Sequence, residues 1–270
     1  MENINQLKIL SSSLRRRSLE IAFSARKHGA HLGGGLSTIE IFAVLYGNIL
    51  KYNTKNPLDE HRDRLIVSKG HCVLAYYAAL EYAGFLSKED IESFETNGSP
   101  FHGHATRNLN YGIEFSGGSL SLGMSFSIGV AIALKKKGLN NRVYTIVGDG
   151  ECDEGLIWES VMAAANFKLD NFTLIIDANQ LQYDGYTKDI MDTISLAEKF
   201  RSFGFHSLEI DGHDCQSIDD ALRISVKEKP VAVIAHTIKG KGVSFMENKK
   251  EWHHGSLSQE QYEQALSELS

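Results

Sequence analysis

Apolar residues recur along this chain in two rhythms. The first is helical: Leu7, Leu10, Leu14, Ile21 and Ala25 share one face of a segment over residues 4–28, with the three-and-four spacing of an amphipathic helix. Further helices are predicted over residues 38–50, 73–83, 120–137, 154–167, 194–203 and 218–227, with a closing one over 257–269. Gly84 follows the segment 73–83, where a glycine can take the left-handed conformation that ends a helix. The second rhythm is a run of consecutive apolar residues: Leu65-Ile66-Val67, then 143–147, 172–176 and 231–235. A strand without alternation is buried on both faces, and such strands separated by helices predict a parallel sheet covered on both sides. The pattern therefore predicts one α/β domain over residues 1–270, doubly wound and mostly parallel, with helices on both faces.

Composition narrows the function more than the fold. At 42% hydrophobic and 23% charged residues the chain is ordinary for a globular protein. A net charge of −6 argues against a nucleic-acid partner, and Arg15-Arg16-Arg17 reads as the solvated side of a helix. The apolar stretch near 128–134 is too short to span a bilayer, and the polar opening Met1 to Gln6 predicts no signal peptide. Cys72, Cys152 and Cys215 are odd in number and scattered, which suits a reducing cytoplasm better than a disulfide or zinc framework.

In parallel sheets of this kind, ligands bind beyond the carboxyl ends of the strands. The residues there are polar: Ser68-Lys69-Gly70-His71, Gly148-Asp149-Gly150, Asp177-Ala178-Asn179, and His236-Thr237 leading into Lys239-Gly240-Lys241-Gly242. The acidic stretch Val147 to Gly155 opens with Asp149, and Asn179 lies one strand–helix–strand unit further on. If the two strands are neighbours, a carboxylate and an amide oxygen meet at one edge, hard donors suited to Mg²⁺ with phosphate oxygens in its shell. Gly148 and Gly150 allow close backbone approach. The helix start near Glu154 favours an anion there. The competing reading is a solvated acidic turn. No G-x-G-x-x-G follows a strand and no G-x-x-x-x-G-K-[ST] occurs, so a dinucleotide fold and a P-loop are not supported.

The stretch from Gly148-Asp149-Gly150 to Asn179 resembles the thiamine-diphosphate signature, and GDGECDEGLIWE resembles its transketolase branch. Four further stretches resemble loops of that branch in order: Gly29 to Gly34, Asp63 to His71, His102-Gly103-His104 with Gly117 to Gly123, and His253-His254-Gly255. The resemblance implies the thiamine-diphosphate-binding fold, in its diphosphate-binding domain. It implies Mg²⁺ or Ca²⁺ held by the side chains of Asp149 and Asn179 and the carbonyl of Leu181. Gly150, His71 and His254 would contact the diphosphate, and Gly118, Ser119 and Leu120 would approach the rings. Glu151 is grouped with the cofactor residues, although it and Asp153 also read as helix-start acids.

Catalytic roles are implied for His31, His71, His104 and His254, which would line the funnel above the reactive carbon as hydroxyl partners and proton shuttles near pH 7. His254 is preferred to His253, and His104 to His102, on glycine spacing. His28, His61, His206, His213 and His236 are read as structural or surface residues. A zinc reading of the His pairs lacks cysteine partners and H-E-x-x-H spacing. Glu154 and Glu159 match glutamates that link the two active sites across a dimer interface. Ser121 stands where the branch usually has glycine.

The implied activity is transfer of a two-carbon ketol unit from a ketose, as its phosphate, to an aldose. The resemblance covers only the amino-terminal half of the classical enzyme. The expectation is therefore the N-terminal subunit of a split transketolase. It would pair with a separate C-terminal subunit, forming an α2β2 heterotetramer in the cytoplasm. The partner would bring the pyrimidine-binding and C-terminal domains, including the glutamate that activates the cofactor. Alternatives are the α-subunit of a 2-oxoacid dehydrogenase and a non-catalytic cofactor-binding partner; the histidine loops favour transketolase.

Overall fold

Five strands form one sheet in the computed structural model, which describes residues 2–269. They are β1 (Arg64–Val67), β2 (Val143–Gly148), β3 (Phe172–Ala178), β4 (His206–Asp211) and β5 (Val231–His236). Their order is β1-β2-β3-β5-β4 and every pairing is parallel. Every residue of β2 and β3 is buried, so the apolar runs are continuous because both faces of these central strands are covered.

Successive side chains feed two separate cores. Tyr144, Ile146, Ile175 and Val233 pack into one, beneath the helices Glu2–Ser24, Ile39–Val44, Val73–Ala83 and Cys215–Leu222. Val143, Val147, Leu174, Ile176 and Ile234 pack into the other, beneath Leu122–Lys136, Gly155–Asn166 and Leu196–Ser202. Each fully buried Leu or Ile contributes about 1.5–3 kcal/mol, so the sheet is a rigid platform for whatever its upper edge carries. The doubly wound, parallel α/β architecture is as the apolar runs predict.

The differences lie at element ends and at one edge. β4 has no counterpart among the predicted strands because it is an edge strand, with only Ser207 fully buried and no apolar run to mark it. The helix expected over 218–227 instead spans Cys215–Leu222, opened by Asp214, whose carboxylate accepts the Ser217 N–H at 3.0 Å. The helix expected over 38–50 is divided into Ile39–Val44 and a π-helical turn, Leu45–Ile49. The first helix stops at Ser24, and Arg26 turns the chain at a φ of 51°. Gly84 ends Val73–Ala83 in the left-handed region as expected, at a φ of 84°.

Candidate cofactor site

The strand register levels the sheet's upper edge: Gly148 of β2 pairs with Asp177 of β3, which pairs with Ala235 of β5. Asp149 therefore leaves β2 beside the end of β3, and its N–H donates to the Asp177 carbonyl at 3.2 Å. Asp149, Asn179 and Leu181 line one cleft of ≈ 260 Å³ together with His31, His71 and His104. The neighbouring-strand condition on which the cation reading depends is met.

The Asp149 carboxylate is 6% exposed and accepts the N–H groups of Gly150, at 2.8 Å, and of Gln180. Burial and the nearby charge of Asp177 push it up to about 6. A carboxylate raised in this way gains from a cation beside it. Asn179 donates its amide N–H to Asp177 Oδ2 at 3.0 Å, which turns Oδ1 the other way, where it accepts the Leu181 N–H at 3.1 Å. Among the described residues no three His, Cys, Asp or Glu side chains converge as a metal cage. One carboxylate, one amide oxygen and a backbone carbonyl, the last already accepting from the Lys239 ammonium at 2.7 Å, belong to residues that line one cleft. These hard oxygens fit Mg²⁺ or Ca²⁺ completed by diphosphate and water.

Behind this edge lies a pair that the strand-end residues contain but whose contact no sequence pattern reveals. Lys69 and Asp177 are both fully buried and form an ion pair. Asp177 also accepts from Ser37 Oγ at 2.7 Å and from Thr237 Oγ1. Burial works against its charge, but the Lys69 ammonium and these hydrogen bonds outweigh it and hold the carboxyl below the usual range. The positive and negative charges thus stay balanced under the cleft.

The other wall is a cluster of imidazoles. His31 begins the short helix Leu32–Leu36, His71 sits in the turn after β1, and His104 comes from the loop before Gly117. Ring centroids stand 4.8 Å apart for His31 and His104, 6.2 Å for His31 and His71, and 4.8 Å for His71 and His253. The loops are tied by paired bonds between Ala30 and Gly255, at 2.8 and 3.0 Å. Gly34 is required here: a Cβ would meet His71 Cδ2 at 2.5 Å. Burial, then the neighbouring His104 and His254, push His31 down to about 3. His71 is driven well below its ordinary value, chiefly by burial, and His104 is lowered by burial as well. The cluster is therefore neutral at pH 7.

Of the two adjacent histidines, it is His253 rather than the preferred His254 that lines the cleft. His254 is exposed and stays outside the lining, although its ring packs against His31 at 4.7 Å. Burial and Lys239 lower His253 to about 3. Glycine spacing cannot separate two adjacent histidines on a short turn; the only sequence signal for His253 is its place beside the matched position.

Gly118 and Leu120 line the cleft as expected, while Ser119 is exposed and outside the lining. Ser121 has a φ of 68°, in the left-handed region that favours glycine, the residue the resemblance leads one to expect there. Its N–H donates to Glu151 at 2.7 Å. Glu151 is no solvated helix-start acid: it is 2% exposed, lines the cleft, and also accepts from Ser68 Oγ and from the Gly148 N–H at 3.1 Å. Gly150 faces the cleft against Gln182, whose Cγ would lie 2.6 Å from a Cβ there. Gln182 lines the cleft although no sequence pattern marks it. Glu154 and Glu159 are exposed and outside the cleft, so the structure does not bring them to the histidines.

The family model for the thiamine diphosphate binding domain of transketolase matches residues 12–269. The chain belongs to the transketolase family. It is 39% identical over 269 residues, covering 99% of this chain and 95% of the relative, to one of the apulose-4-phosphate transketolase subunits, that of Phocaeicola vulgatus. It is 40% identical over 241 residues, 88% of each chain, to the 6-deoxy-6-sulfo-D-fructose transketolase subunit SqwG of a Clostridium species. The solved transketolase of Campylobacter jejuni superposes with a TM-score of 0.87 at 29% identity. This transketolase-family chain is covered completely in that comparison but spans only 43% of the solved chain. Some relatives thus have its length and are named as subunits, while others carry the same domain within a chain more than twice as long.

Proposed function

We propose that this chain is the cofactor-binding subunit of a two-chain transketolase, working with a separate C-terminal subunit in an α2β2 assembly in the cytoplasm. Asp149, Asn179 and the Leu181 carbonyl would hold Mg²⁺, or Ca²⁺ in its place, which would balance the charge of the diphosphate of thiamine diphosphate. When bound, that cofactor supplies the carbon nucleophile and electron sink for breaking and remaking a carbon–carbon bond. The chain's own residues do the rest: the Asp149 edge positions the diphosphate, and His31, His71 and His104 offer neutral donors and acceptors to substrate hydroxyls. The observation that carries this reading is one cleft containing a cation edge on one wall and a neutral histidine cluster on the other.

The two-chain arrangement draws support from an uncovered apolar face beside the ring-side loop. Leu122 is 48% exposed, Phe126 38% and Met162 52%, and the first two project from the helix that follows Leu120. Large apolar side chains at these positions suit a protein partner. Glu154 and Glu159, exposed at the start of the helix that carries Met162 and within it, are assigned to the same interface. The named substrates of the two relatives are ketoses bearing a phosphate or a sulfonate, so the donor assigned to this chain is an anionic ketose.

The test is reconstitution with the co-purified partner, thiamine diphosphate and Mg²⁺, followed by a screen of ketose donors. Turnover requires both chains. Full turnover by this chain alone would contradict the two-subunit reading, and unchanged turnover of Asp149→Ala with its partner would favour a non-catalytic role.

A further inference from the structure

Lys239 is 1% exposed and does not line the cleft, yet its ammonium reaches both walls. Nζ lies 2.7 Å from the Leu181 carbonyl, 3.0 Å from His253 Nδ1 and 3.5 Å from the Gln182 carbonyl. Three donors thus face three acceptors. An ammonium has no acceptor to offer, so His253 Nδ1 must accept, and the ring proton then resides on Nε2, the nitrogen turned away from the lysine.

The approach of Lys239 is built from both sides. Its carbonyl accepts the Asn248 N–H at 2.9 Å, and the next N–H, of Gly240, donates to the Gly33 carbonyl at 3.0 Å. Gly33 makes room for the lysine stem, since a Cβ there would stand 3.0 Å from Lys239 Cγ. On the other side the Ile238 N–H donates to His213 Nε2 at 2.8 Å, and His213 Nδ1 bonds Glu40 at 2.9 Å. His213, read from sequence as structural or surface, is thus an anchor for this segment.

We propose that Lys239 is a positioning residue that fixes His253 as an Nε2–H donor and ties it to the Leu181 carbonyl of the cation loop. The inference rests on the cofactor reading above for its purpose, but not for its geometry. A histidine held in this tautomer offers a hydrogen bond to an anion and cannot accept a proton at the nitrogen bound to lysine. One ammonium thereby aligns the cation loop and the anion-facing donor, as partners behind metal ligands do elsewhere.

The experiment is nitrogen NMR on the full chain with ¹⁵N-labelled histidine, the His253 signals being assigned with His253→Gln. The wild type shows the Nε2–H tautomer at His253. Lys239→Met shifts it toward the Nδ1–H form or a mixture, whereas Lys239→Gln, which keeps a donor without the charge, retains Nε2–H. In the assembly with its partner, Lys239→Met weakens binding of magnesium thiamine diphosphate about 10–100-fold. A wild-type Nδ1–H tautomer, or an unchanged tautomer in Lys239→Met, would overturn the proposal. If the tautomers behave as expected but the wild type binds no thiamine diphosphate, the cofactor reading fails instead.

Discussion

The two walls of the cleft solve the problem of burial in opposite ways. At the cation edge, charge is kept: Lys69 and Asp177 pair out of reach of water, and Asp149 waits beside them with its carboxyl raised to about 6. At the histidine wall, charge is given up: His31 and His253 are lowered to about 3 and stay neutral. The first wall suits a cation and the anion it carries. The second suits hydrogen bonding without a counter-charge, to the hydroxyls of a sugar and, through His253, to the anion at the first wall. One fold places both within a single cleft because the strands supply the charged edge and the connecting loops supply the imidazoles.

The comparison is broken most severely by removing charge from the first wall. Asp149→Ala abolishes Mg²⁺-dependent binding of thiamine diphosphate, a loss of at least about 100-fold for a first ligand where a supporting partner alone costs 10–100-fold, measurable by calorimetry. Next comes the buried pair. Asp177→Leu destabilises by about 3–5 kcal/mol because it leaves Lys69 uncompensated, while Lys69→Met combined with Asp177→Leu recovers much of that loss. Chemical denaturation of the two variants checks the order; a double variant less stable than the single one would contradict it.

Acid separates the walls more gently. His31, His71 and His253 have folded values below the ordinary 6.5, so the folded chain binds fewer protons than the unfolded chain below that pH. Their contribution is present above about pH 6.5 and is lost as pH falls toward 3. Asp149 and Glu151, both raised, have the opposite sign. The chain therefore loses thermal stability on acidification below pH 6.5, and a melting temperature that rises between pH 6.5 and 5 would contradict the neutral cluster. The smallest effect belongs to Glu154→Gln and Glu159→Gln, which leave the stability of the chain alone unchanged within about 0.5 kcal/mol but weaken assembly with the partner, read by sedimentation.

The central strands and the cation edge are legible in the sequence because each rests on a local signal. Unbroken apolar runs mark strands covered on both faces, and Asp149 and Asn179 follow two such runs at the spacing of one crossover. β4 is not legible, since an edge strand whose Leu208 and Ile210 are only partly covered and alternate with polar residues carries no such run. Nor is the choice between His253 and His254: neighbouring side chains on a short turn point different ways, and only the packing against His71 and Lys239 decides which enters the cleft. Glu151 resembles a helix-start acid for a related reason. Its partners Ser68 and Ser121 are distant in sequence, and the left-handed turn at Ser121 brings that N–H to the carboxylate. Lys69 and Asp177 each stand in plain view at strand ends, but their pairing depends on the register of the sheet.

The account depends most on the cation edge. The direct measurement is calorimetric titration of thiamine diphosphate into the two-chain assembly, with and without Mg²⁺, for the wild type and Asp149→Ala. The prediction is tight binding in the wild type only when Mg²⁺ is present, and none in the variant under either condition. Equal affinity with and without Mg²⁺, or a variant that binds like the wild type, would contradict it.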